Sequence, residues 1–161
     1  MSSSEGVCSL DSAKAVSDRH SIITTDIIVG FPNENDEDFE TTKKFAEKVG
    51  FSYIHIFPFS PKHGTPASTM KNQNTKETKS KRAKELKEIM LKKRNEFLES
   101  MIGSTQKILI EKKLSNNIYE GYSENYIYVE VKSKNDIFNK IINVKITGQN
   151  QTHLEGELLW K

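Results

Sequence analysis

Two sets of residues carry the chemistry available to this 161-residue chain. The first is Asp26, inside an apolar run, with Gly30, Phe31, Pro32 and Glu34 in the turn that follows it. Glycine and proline shape a turn so that backbone amides can approach a ligand, and two carboxylates beside it supply negative charge. These five are the candidate cofactor-binding residues. Asp26 is either a group that positions a ligand or a structural hydrogen-bond hub, and Glu34 either lines a ligand's rim or simply favours a helix N-terminus. The second set is Lys107, Lys112, Lys113 and Tyr126, interleaved with Tyr119, Tyr122 and Tyr128. Basic side chains among aromatics form the mixture with which β surfaces hold RNA, so these four are the candidate RNA-binding residues.

The elements that must position them follow from periodicity. Ile22–Val29 has the length and β-branched content of a strand buried on both faces, with Asp26 sharing a face with Thr24, Ile28 and Gly30. Asn35 or Asp36 caps a helix with Phe39, Thr42, Phe45, Ala46 and Val49 on its inner face, and Gly50 ends it. Phe51–Phe59 is a second strand with Tyr53, His55, Phe57 and Phe59 on one side, where His55 reads as a core histidine. Strand, helix and strand make a β/α unit of a parallel sheet, whose ligands bind at the carboxyl ends of strands. Asn33, within the turn, is the residue type that best tolerates a positive backbone dihedral after Gly. Lys62, His63, Gly64 and Thr65 form a loop suited to an anion or substrate.

From Thr78 to Met101 a helical stripe runs through Ala83, Leu86, Met90, Phe97 and Met101, and Gly103 ends it. Beyond it, short β segments at Thr105–Glu111, Asn117–Tyr122, Tyr126–Lys132, Lys140–Thr147 and His153–Leu159 predict a small closed barrel, with Trp160 covering one end. The expected fold class is α/β plus all-β. Its organisation is a tail over residues 1–21, a β/α unit of a parallel sheet over 22–77, a connecting helix over 78–102 and a β-barrel over 103–161.

Net charge is +2, but residues 71–100 carry ten basic against five acidic side chains, which suits either an anionic partner or a solvated helix. A single cysteine, Cys8, excludes a disulfide framework and a cysteine-based metal site within the chain. No run approaches the roughly 18 apolar residues of a membrane span. A cytoplasmic protein is the expectation.

The segment Thr25–Glu34, followed by Gly50–Ala67 with its His55-Ile56-Phe57-Pro58 strand and Gly64-Thr65-Pro66-Ala67 loop, resembles the later half of the radical S-adenosylmethionine methylthiotransferases. The branch it resembles most modifies threonylcarbamoyladenosine in transfer RNA. The likeness runs over about residues 22–161 and implies a partial radical-enzyme (β/α) barrel joined to a TRAM-like RNA-binding β-barrel of five strands. It implies S-adenosylmethionine and 4Fe-4S clusters as cofactors and tRNA as partner. In the family, S-adenosylmethionine is split to a 5′-deoxyadenosyl radical so that a methylthio group is installed at C2 of adenosine 37. The family's cluster cysteines do not occur in the matched region, so the chain reads as a C-terminal portion, inactive alone. A ribosomal-protein methylthiotransferase and a stand-alone RNA-binding adaptor are the alternative readings.

Overall fold

The computed structural model describes residues 21–115, 117–150 and 152–159. Residues 1–20 of the tail, Cys8 among them, and Trp160 therefore lie outside the described residues. Strand β1 (Thr24–Val29) leads through the turn into helix α1 (Asp36–Val49), which returns to strand β2 (Tyr53–Pro58). Asn35 caps α1, its side chain accepting from the Asp38 N–H while the Asp38 carboxylate accepts from the Asn35 N–H. Gly50 closes the helix in the left-handed conformation, at φ 69°. β2 pairs with β1 in parallel, Asp26 opposite His55 and Ile28 opposite Phe57.

One face of this two-stranded sheet is covered. Val29 and Ile54 pack with Phe39 and Ala46 of α1 and with Leu86 and Met90 of the long helix α3 (Lys76–Ser100). A four-residue helix, α2 (Pro66–Thr69), lies in the connection to α3. The opposite face is open, which corrects the expectation of strands buried on both sides: Ile28 is 55% exposed and Phe57 51%. His55 is exposed on that face and not a core histidine, and Phe45 lies outside the α1 core. The cause is the same throughout. Two strands and two helices bury one side of a parallel sheet, and no described element covers the other.

Strands β3 (Thr105–Ser115), β4 (Ile118–Ser123), β5 (Tyr128–Lys132), β6 (Ile141–Gln149) and β7 (Leu154–Leu158) close into a barrel in the order β3-β4-β5-β7-β6. All pairs are antiparallel except β5 with β7. β3 runs four residues beyond the predicted end because register shifts between Ile110 and Lys112, and between Lys113 and Ser115, let it bend with the barrel wall. Gly121 serves closure by its lack of a side chain, since a Cβ there would stand 2.2 Å from the Leu109 carbonyl oxygen. The barrel core is Ile108, Ile110, Tyr119, Val129, Val131, Val144, Ile146 and Leu154, and Leu98 and Met101 at the end of α3 plug it. Helix α3 thus contributes to both apolar cores.

Candidate functional site

The turn after β1 is built from both sides. Gly30 takes φ 71°, and a Cβ on it would lie 2.4 Å from Cγ of Lys79, so the glycine admits α3 against the turn. Asn33, at φ 67°, adopts the left-handed conformation anticipated for it. Its N–H donates to the Asn72 carbonyl at 3.1 Å, and its Oδ1 accepts from the Asn72 side chain at 2.9 Å. Asn74 donates from Nδ2 to the carbonyls of Phe31 (2.8 Å) and Glu34 (3.2 Å).

The Glu34 carboxylate accepts from the Gly30 N–H and from Arg82 Nη1, the latter at 2.9 Å. Arg82 also donates from Nη2 to Asp36 at 2.8 Å and lies over the Phe39 ring. Burial pulls the Arg82 guanidinium's pKa down, but its bonds to Asp36 and Glu34 outweigh that and leave it raised. The same bond holds the Asp36 carboxyl below its ordinary value. Arg82 was not among the expected site residues. The signal was present, since 82, 86 and 90 fall on one helical stripe and a cation on an apolar stripe needs a partner.

Of the five expected cofactor residues, Gly30, Pro32 and Glu34 are therefore drawn into the scaffold of the turn, with Pro32 buried. Phe31 is 40% exposed and meets Phe59 edge-on at 5.0 Å. Asp26 is exposed on the open sheet face opposite His55, with Tyr53 and Phe57 flanking that histidine's ring. That face presents one carboxylate, one imidazole and several aromatic rings. Lys62, His63, Gly64 and Thr65 are all exposed beyond it. Among the described residues no group of three or more His, Cys, Asp or Glu could hold a metal ion. One cysteine in the whole sequence does not fit a thiolate-held iron–sulfur cluster.

On the barrel, two of the four expected RNA-binding residues meet. Lys107 and Tyr126 line a hollow of about 530 Å³ together with Leu109, Tyr122, Glu124 and Ile141. Lys112 bonds to Glu120 at 3.2 Å, which raises its pKa, and the ammonium of Lys113 lies over the Tyr119 ring at 5.5 Å. Tyr119 is 1% exposed and is core, not a stacking surface. Tyr128 packs edge-on against Tyr122 and His153, and burial, with a bond to Glu120, pushes its hydroxyl up to about 12.

The barrel and the β1–β2 unit touch through Arg94 of α3, which donates to the Thr152 carbonyl at 3.2 Å while lying over the Tyr53 ring. No described helix is long and apolar enough to cross a membrane.

No protein-family model matches the chain. Individual proteins do. It is 39% identical over 138 residues, 85% of its length, to a tRNA-2-methylthio-N(6)-dimethylallyladenosine synthase of Aliarcobacter butzleri, of which it covers 32%. It is 40% identical over 140 residues to the synthase of the same name from Bacillus velezensis, covering 27% of that protein. It is 44% identical over 105 residues, 65% of its length, to the threonylcarbamoyladenosine tRNA methylthiotransferase MtaB of Thermotoga maritima, covering 24% of it. The chain spans about a third or less of the length of the curated relatives it matches, and those relatives are tRNA methylthiotransferases.

Proposed function

We propose that this chain is the tRNA-holding portion of a methylthiotransferase that acts on N6-threonylcarbamoyladenosine 37, in which residues 22–77 form part of the radical-enzyme (β/α) barrel, 78–102 the connecting helix and 103–161 a TRAM-like barrel. One observation carries the reading: a match of 138 residues in a 161-residue chain cannot fit on the β1–β2 unit or on the barrel alone, so similarity to tRNA-modifying enzymes covers both. The 44% identity to the Thermotoga protein favours the threonylcarbamoyl substrate. The longer matches to dimethylallyladenosine synthases support a second reading in which that nucleoside is the substrate.

In this reading the open face of β1–β2 is where S-adenosylmethionine would lie. Asp26 supplies negative charge toward a sulfonium, and Phe31 with Phe59 offers an apolar wall for an adenine ring. When bound, that cofactor supplies the radical chemistry of the family. Gly30, Pro32 and Glu34 hold the rim in shape through Arg82, while Lys112 and Lys113 neutralise tRNA phosphates and Lys107 and Tyr126 offer the RNA a donor and a ring.

The test is binding of the chain to tRNA as a function of salt. Affinity should fall steeply as salt rises, and each of Lys112→Ala and Lys113→Ala should lower the slope by about one, because each phosphate contact releases a counterion. Affinity that is absent, or indifferent to salt, overturns the proposal. Repeating the titration with tRNA bearing the threonylcarbamoyl or the dimethylallyl group separates the two substrates.

A further inference from the structure

Tyr126 is the strained residue of the barrel. It stands at φ 58°, in the left-handed region that a bulky side chain rarely adopts. The surrounding turn fixes it there: the Tyr126 N–H donates to the Ser123 carbonyl at 2.9 Å, and the Ile127 N–H donates to Ser123 Oγ at 3.1 Å. Ser123 and Ile127 also pair through their main chains at 3.0 Å. The ring that this strain presents packs on little, since Tyr126 is 81% exposed. Strain held by an over-determined turn, with no packing return, points to a ligand.

What surrounds the ring defines that ligand. Ile141 is 72% exposed and Leu109 39%, and both line the hollow with Tyr126 and Tyr122. At about 530 Å³ the hollow lies within the range of roughly 300–1,000 Å³ typical of small-ligand sites. At its rim Lys107 and Glu124 stand 3.9 Å apart, both largely exposed, offering a donor and an acceptor side by side. A flat apolar wall, a free aromatic face and a paired donor and acceptor match a single planar heterocycle with polar edges. A phosphate is a poorer match, because Glu124 would repel it.

We propose that this hollow receives one unpaired RNA base, stacked on Tyr126 against Ile141 and Leu109, with its polar edge turned to Lys107 and Glu124. The inference rests on the tRNA reading above and deepens it. There lysines hold the backbone without regard to sequence; here one base is removed from its stack and held.

RNA hairpins carrying 2-aminopurine at each loop position in turn test it, titrated with the whole chain. At one position, wild-type protein should quench the fluorophore by stacking. Tyr126→Phe should retain the quenching, because the ring and not the hydroxyl stacks. Tyr126→Ala and Tyr126→Gly should abolish it and weaken binding about tenfold. Tyr126→Gly should melt no lower than wild type, since glycine relieves the left-handed conformation, so lost binding in that variant is not lost folding. Lys107→Ala should weaken binding while leaving the quenching in place, because the ring still stacks. Hairpins that bind with no quenched position, or Tyr126→Ala that binds and quenches as wild type does, overturn the stacked base and leave the tRNA reading standing. Failure of wild type to bind any hairpin or tRNA overturns both.

Discussion

Arg82 bonds two carboxylates that solvent treats very differently. The Glu34 side chain is 13% exposed and that of Asp36 99%. A buried pair broken on one side leaves an uncompensated charge, whereas an exposed pair is screened. Glu34→Ala should therefore cost about 3 kcal/mol by denaturant titration, and Asp36→Ala should change stability little. The Asp36 pKa is lowered from 3.8 in the folded chain, chiefly by its bond to Arg82, so whatever that bond adds is complete above 3.8 and disappears as pH falls through the depressed value. The melting-temperature difference between wild type and Asp36→Asn should be constant from pH 5 to 8 and shrink below pH 3.8. At this scale the sequence was partly legible. Asn33 and Gly50 announce their left-handed backbone by residue type, and both adopt it. Tyr126 carries no such bias, so its conformation is set by the Ser123 turn and could not be read beforehand. Glu34 was rightly placed at the turn, but its partner sits 48 residues away, beyond the reach of any local pattern.

Among the elements, α3 bears the most consequence because one helix supplies Leu86 and Met90 to one core and Leu98 and Met101 to the other. Leu98 is wholly buried, and its truncation to Ala should cost about 3 kcal/mol. Amide exchange should then quicken mainly in β3 to β7, while Leu86→Ala should quicken it mainly in β1, α1 and β2. Equal loss in both regions from either variant would mean that the two cores unfold as one. Strand positions were legible within a few residues, because alternation and turn residues mark them. The parallel contact of β5 with β7 was not, since a pairing that skips β6 leaves no trace in local periodicity. The open face of β1–β2 escaped for a related reason. Apolar residues on both sides announce burial, but not whether the covering element is present.

For the whole molecule, that open face sets unequal stability. The barrel closes on itself and has no free edge, while β1 and β2 leave Ile28 and Phe57 in solvent. In dilute monomer, amides of Ile108–Leu154 should exchange more slowly than those of Thr24–Pro58, and equal protection would contradict this account of the sheet. At high concentration the chain should self-associate through the open face, and replacing Ile28 with Lys should reduce that association in sedimentation. The division of charge agrees with the architecture, for the most basic stretch is α3, whose outward side faces solvent between the two cores.

Two seats along α3 also act as a measuring rod. Met90 is seated in one core and Leu98 in the other, eight residues or about 12 Å of helical rise apart. A residue gained or lost between them would swing one seat by about 100° and lengthen or shorten the span. The separation between the closed barrel and the β1–β2 sheet is thus counted in turns of one rigid helix, and the loops around it can vary freely while that count cannot.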